Sequence, residues 1–311
     1  MQRFFTWLNR FGFTGERKNW SPVDAAVYAE AYGKWGGSFI LHPDVIPVVS
    51  EIAQVPLEYF ACEEGGCPVA VVPVWGGRMI AGNRKYLDSI GKKNQLDTGD
   101  NEYWLPIASE AIITLPFSVR YLPAAQARQV RNAVEETNFE VALARSHVAG
   151  EHKLARKFKY NQKRALRLFI EAGGEVCPIK SLSPEVIVQA YIELFETRWG
   201  FPAPGKPALP ELLRRLHPYL AGRVLRMNSR VVAIQLVFLV ENNNCVSAAY
   251  INGGYDPMYK EHSPGSILCY LNTEEAEQFA LSKNKPLRYH FGKMDADYKR
   301  MWCYGEASYR V

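Results

Sequence analysis

Hydrophobic positions along the chain switch repeatedly between helical spacing and strand alternation. "SPVDAAVYAEAYGKW" at 21–35 predicts a helix, with Ser21 as its N-cap and Pro22 in its first turn. "LEYFACEEGGCPVAVVPVW" at 57–75 predicts two strands around a Gly65-Gly66 turn. "AIITLPFSVRYLP" at 111–123 predicts a further strand region, followed by a helix from about Ala124 to Glu136. A long helix over roughly 151–172 stops at Gly173-Gly174.

The second half follows a clearer order. "GEVCPIK" is a short strand and "SPEVIVQAYIELFETRWG" at 183–200 a capped amphipathic helix. A proline-rich loop and the helix "ELLRRLHPYL" come next. Residues 223–256 predict three antiparallel strands, with turns at Asn228-Ser229 and Asn242–Asn244. "PGSILCYLNTEEAEQFALSKN" is a helix, and "RYHFGKMDADYKRMWCYGE" at 288–306 begins as the terminal strand. The first half is a looser version of the same plan, which hints at an internal structural duplication.

Composition places this alternation in a globular protein. The 311 residues are 48% hydrophobic and 22% charged, enough for about two domains. The expected division is an aromatic and basic segment at 1–20, one lobe at 21–145 and a second at 146–311. Charge is unevenly spread. Residues 145–170 carry eight basic side chains against the single acid Glu151, hence +7, which leaves −2 elsewhere in a chain of net charge +5. Such a segment points to a local anionic partner.

No run approaches the roughly 18 consecutive apolar residues of a membrane span, and "MQRFFTWLNRFGF" lacks the pattern of a secretory signal. Its mixed Phe, Trp and Arg side chains do fit an interfacial membrane segment, or a terminal helix docked on the core. The six cysteines have no disulfide spacing, so a cytoplasmic protein with reduced thiols is expected. "CEEGGC" at 62–67 reads as a hairpin, and no metal site is expected.

Four stretches resemble the GNAT superfamily of acyltransferases, in particular the tandem type that includes Fem-like peptidyltransferases and cellulose-biosynthesis-associated acetyltransferase domains. They are "RKFKYNQKRALRLFIEAGGEV", "RVVAIQLVFLVENNNCVSAAYINGGYDPMY", "HSPGSILCYLNTEEA" and "YHFGKMDADYKRMW". With "NWSPVDAAVYAEAYGKWGGSFILHP" near the start, the whole chain also resembles the macrophage-inducible-gene (Mig) family of Gram-negative bacteria. That family is associated with resistance to cationic antimicrobial peptides and with the inner membrane. The resemblance implies an α/β fold of two GNAT-like lobes, with mixed, mostly antiparallel central sheets flanked by helices. It also implies acyl transfer to an envelope-related amine or hydroxyl, from acetyl-CoA or another acyl donor such as aminoacyl-tRNA. The expected location is cytoplasmic, peripheral on the inner membrane.

By the same resemblance Lys299 is the candidate for stabilising the oxyanion of acyl transfer, with Tyr298 as a positioning or acid group. Packing beside Trp302 is the bland alternative for Lys299. Pro264, Gly265 and Ser266 open a helix whose free N–H groups suit a cofactor phosphate, although a routine helix start has the same sequence. Asp256 in "GGYDP" is a candidate general base, or simply a turn residue. On the basic helix Lys153, Arg156, Lys157, Lys163, Arg164 and Arg167 form an anion-binding arc, while Leu154, Phe158, Leu166 and Phe169 face inward. The expected partner there is tRNA, a lipid-linked precursor or membrane headgroups, with DNA less favoured in the absence of a DNA-binding motif.

The chain departs from the family pattern twice. His290 stands where an aspartate is usual, and the loop "EHSPGSIL" has a single glycine. Both departures favour the competing reading, a catalytically silent GNAT fold that binds membrane or nucleic acid as a regulator.

Overall fold

The computed structural model describes residues 19–92 and 94–311. Most of the aromatic and basic N-terminal segment, with its expected membrane role, therefore lies outside the described residues. Two sheets organise the rest. In the smaller one, β1 (Trp20–Val23), β2 (Leu57–Glu64), β3 (Cys67–Trp75) and β4 (Met79–Ile80) lie antiparallel in chain order. The β2–β3 hairpin turns at Gly65-Gly66, both with positive φ, as the sequence predicts. Helices α1 (Ala25–Trp35), α2 (Ile46–Ile52) and α3 (Arg84–Ser89) complete this part.

The larger sheet has nine strands. They are β5 (Leu122–Pro123), β6 (Val134–Ala144), β7 (Gly174–Pro178), β8 (Leu220–Ala221), β9 (Arg223–Met227), β10 (Arg230–Glu241), β11 (Val246–Tyr255), β12 (Leu287–Lys293) and β13 (Cys303–Arg310). Their order is β5-β13-β6-β12-β11-β10-β9-β7, with β8 on β10. Every pairing is antiparallel except β11 with β12. Flanking it are α4 (Ala124–Ala127), α5 (Arg156–Glu171), α6 (Pro184–Trp199), α7 (Leu209–Leu216), α8 (Pro264–Ser282) and α9 (Asp297–Trp302).

Several expectations are corrected. Ser21 and Pro22 do not start a helix. They pair with Ala61 and Phe60 in β1, and α1 begins after Asp24. Because β1 is an edge strand, a proline there breaks no central ladder. Residues 111–121 form isolated bridges rather than a strand, and the helix expected over 124–136 ends at Ala127. The following residues become β6, which bonds β13 and β12 on its two sides. The large sheet therefore takes strands from before residue 146. The terminal strand is β13, placed between β5 and β6, and not the one that opens at 288.

The two sheets share one apolar core. Phe39 stacks on Phe238 of β10 at 4.9 Å, and its amide donates to Ser247 Oγ. On the same face, Arg288 of β12, paired with Ser247, donates to Glu102 and to Glu306 of β13, fixing the 94–105 loop against the large sheet. Glu102 is only 2% exposed, so burial raises its carboxyl, while Arg288 opposes that. For Arg288, burial opposes the charge and the two carboxylates outweigh it, so the guanidinium is held charged.

Removing one member of such a buried pair leaves the other charged and unpaired, at a cost of about 3–5 kcal/mol. Arg288→Met should therefore lose about that much in urea unfolding, and Arg288→Met/Glu102→Leu should regain part of it. A single-variant loss below about 1 kcal/mol contradicts this assignment.

Candidate active site

The site begins where two neighbouring strands part. β11 and β12 pair through four residue pairs, from Val246–Leu287 to Ala249–His290, and then stop. Tyr250–Tyr255 and Phe291–Lys293 continue without bonding each other. Along the other edge of β11 the register slips, Leu236 facing Asn252 and Val237 facing Tyr250, so Ile251 is bulged. The bulge turns β11 away as β12 stays with β6, and side chains rather than ladder bonds fill the wedge.

α6 closes one side of that wedge. A Cβ on Gly254 would lie 2.4 Å from the Leu194 and Phe195 backbone, so only glycine lets α6 approach β11 this closely. Ser183 caps α6, accepting from the Val186 amide, and Gly200 ends it in the left-handed region. The last turn thereby delivers Arg198 and Trp199 to the wedge. Arg198 lies over the Trp199 ring at 4.4 Å and the Tyr255 ring at 4.6 Å.

Two cavities open here, and Tyr250 and Tyr298 line both. One, of about 220 Å³, is bounded by the start of α8 with Pro264, Gly265 and Ser266, and by Arg198 and Lys260. No carboxylate lines it, and neither cation has an ion-pair partner among the described residues. The other, of about 310 Å³, is bounded by the 94–105 loop, Trp199, Phe201 and the start of α9 with Lys299.

Lys299 is 9% exposed, so it is not a solvated side chain. Its ammonium donates to Lys293 O at 2.6 Å and to Asp295 Oδ1 at 2.8 Å, which leaves one N–H free. Tyr298 keeps its proton: burial, with lesser help from Cys269, Cys303 and Asp295, pushes the phenol up to about 12.

The structure thus brings Lys299 and Tyr298 together, with Pro264, Gly265 and Ser266 across the wedge. It does not bring Asp256 to them. Asp256 Oδ1 accepts the Met258 amide at 2.9 Å and opens the short 3-10 turn Pro257–His262, and the residue lines neither cavity. The α8 start is also less open than expected. The Ser266 and Ile267 amides turn back to Ser263 O, leaving Gly265 as the amide here without a partner among the described residues. Arg198 and Lys260 are the cations that line this cavity, and sequence reasoning missed both. Their only signal was a cation in "ETRWG" and another just before the α8 loop.

The basic arc lies elsewhere. Arg156, Lys157, Lys163, Arg164 and Arg167 are exposed on α5, while Lys153 precedes the helix, bridged to Ser146. Arg167 pairs with Glu171 at 3.6 Å. On the inner face Phe158 meets Trp302 edge-on at 4.8 Å, so α5 packs behind a residue of the α8-side cavity. All six cysteines are free, and the described residues hold no group of His, Cys, Asp or Glu suited to a metal. No described helix is long and apolar enough to cross a membrane.

A mixed and mostly antiparallel sheet flanked by helices is the fold of GNAT and Fem-like acyltransferases. FemX has that fold: its crystal structure superposes with a TM-score of 0.57 at 8% identity, over 94% of this chain and 96% of that one. L-PGS from Bacillus licheniformis is also similar, with a TM-score of 0.46 at 9% identity over 93% and 92%. The chain itself belongs to the Mig-14 family, whose model matches residues 42–311. No curated protein matches it in sequence.

His290, where the strands part, is 2% exposed and neither ring nitrogen has a hydrogen-bond partner among the described residues. Burial, then the charges of Arg288 and Lys299, pushes it down to about 3. The unfolded chain takes up this proton below about pH 6.5 while the folded one does not, so stability falls as pH drops. Between pH 6.5 and 5 the native protein should lose about 2 kcal/mol more than His290→Leu in urea unfolding. Parallel pH profiles contradict that.

Proposed function

We propose that this protein transfers an acyl group from a phosphate-bearing thioester donor, such as acetyl-CoA, to an amine or hydroxyl acceptor. The observation that carries the reading is the pair of unlike cavities meeting at Tyr250 and Tyr298. The α8-side cavity, with Arg198, Lys260 and no acid, suits a pyrophosphate, and the Gly265 amide adds a single donor. When bound, such a donor supplies an activated acyl carbonyl.

Lys299 then presents its ammonium in the wall of the larger cavity, next to Tyr298 of the junction, where a carbonyl oxygen gains negative charge during transfer. A fixed donor of this kind contributes about 3–4 kcal/mol. Asp295 and the Lys293 carbonyl hold the ammonium in place, so little reorganisation is needed. Tyr298 holds a proton at the same junction, available to a departing thiolate. Neither residue suits removal of the acceptor's own proton. Asp256, away from both cavities, is a weaker candidate for that task than its sequence context suggested.

Membership of the Mig-14 family supports an envelope role. Acylating an amine removes a positive charge, and adding an aminoacyl group introduces one. Altered surface charge is a direct physical route to resisting cationic peptides. The exposed cations of α5 fit an anionic membrane surface or lipid-linked precursor.

Calorimetry with acetyl-CoA tests the donor. We expect a micromolar Kd, weakened at least about tenfold, or 1.4 kcal/mol, in Arg198→Ala/Lys260→Ala. Lys299→Met should bind acetyl-CoA within about threefold of the native protein, yet fail to restore peptide resistance to a null strain. Absence of heat, or unchanged binding in the double variant, overturns the donor assignment.

A further inference from the structure

The second cavity carries information about the acceptor. Its walls include three carboxylates, Asp97, Asp100 and Asp295, and three cations, Arg84, Lys293 and Lys299. The charges balance, so nothing in the lining selects an ion of either sign. What it offers is aromatic surface and unused hydrogen-bonding capacity. Trp199 and Phe201 line the cavity and are 43% and 52% exposed, although burying such rings is normally favourable. The Trp199 ring is held in place, its Nε1 donating to Gly253 O at 3.3 Å and Arg198 covering it at 4.4 Å.

Polar groups around this platform are underused. Asp100 has no hydrogen bond among the described residues, and Asn252 uses only its Oδ1, on the Gly253 amide. Asp97 spends one oxygen on the Gly99 amide, and Arg84 reaches it only at 3.9 Å. Planar carboxylate, amide and guanidinium groups edge a cavity whose rim is aromatic. A sugar ring matches this arrangement, because its C–H faces are apolar while its edge is a belt of hydroxyls.

Resting on the acyl-transfer reading, we propose that the acceptor is a saccharide, or carries one next to its reacting group. The ring lies against Trp199 and Phe201, and its hydroxyls reach Asp97, Asp100, Asn252 and Arg84. A bare aliphatic amine would leave the polar edge unpaired, and a phosphate would find the attraction of the three cations offset by the three carboxylates.

The test uses the native protein without any donor. Saturation-transfer NMR with methyl α-glucopyranoside should show transfer to the ring C–H protons, with a millimolar Kd. Cyclohexylmethanol, an apolar ring with one hydroxyl, is the control and should bind at least about tenfold more weakly. Trp199→Ala/Phe201→Ala should weaken sugar binding at least about tenfold, and Trp199→Phe should stay within about threefold. Asp100→Asn/Asn252→Ala should weaken it without touching the platform. Native-like thermal melting of each variant checks its folding. No transfer to the sugar, equal binding of the control, or an unaffected aromatic variant overturns the proposal. Since donor and sugar are titrated separately, sugar binding without acetyl-CoA binding would support the cavity assignment while the transfer reading fails.

Discussion

The early end of one strand pairing is the constraint on which the rest of this molecule depends. Parallel strands normally bond along their shared length, yet β11 and β12 separate after Ala249–His290. Backbone groups beyond that point lose ladder partners in the interior of a sheet. The chain meets the problem with a bulge at Ile251, glycines at 253, 254 and 292, and a helix seated directly on Gly254. Each of these would weaken an ordinary strand. Together they hold open a wedge that Tyr250 and Tyr298 fill, with a cavity on either side. A local cost in pairing has become the geometry of a site.

Holding the wedge open requires the surrounding parts to be stiff. Arg288, two residues before His290, ties β12 to β13 and to Glu102 in the first-half loop. That loop also brings Asp97 and Asp100 to the larger cavity. The first half of the chain thus supplies a wall of the site that the large sheet alone lacks. Phe39 against Phe238 and the Asn242 amide on Gly37 O fasten the same two parts elsewhere. The unlike chemistry of the cavities, cations facing one and balanced charges with aromatic rings facing the other, follows from which elements reach them.

Much of this was legible in the residues. The 57–75 hairpin, α6 with its Ser183 cap, the 223–255 meander and the long α8 all form where their periodicity and turn residues put them. Local signals failed where pairing partners are distant in sequence. Residues 134–144 follow an alanine-rich stretch that favours helix, but hydrogen bonding to β13 and β12 makes them a central strand. Ser21-Pro22 looks like a helix start because edge position is invisible in sequence. For the site, the resemblance led to Tyr298, Lys299 and the α8 start. Arg198, Trp199 and Lys260 were hidden because nothing local marks a helix end as the wall of a distant cavity. Asp256 shows the opposite error, an acid whose turn role accounts for the contacts it makes.

The central claim is that the parted strands form one passage from a donor cavity to an acceptor cavity. A crystal structure of the protein soaked with acetyl-CoA tests it most directly. The account predicts density with the pyrophosphate at Arg198, Lys260 and the Gly265 amide, and the acyl end between β11 and β12 beside Tyr298. Density for the donor on the exposed face of α5, or anywhere outside the wedge, would contradict it.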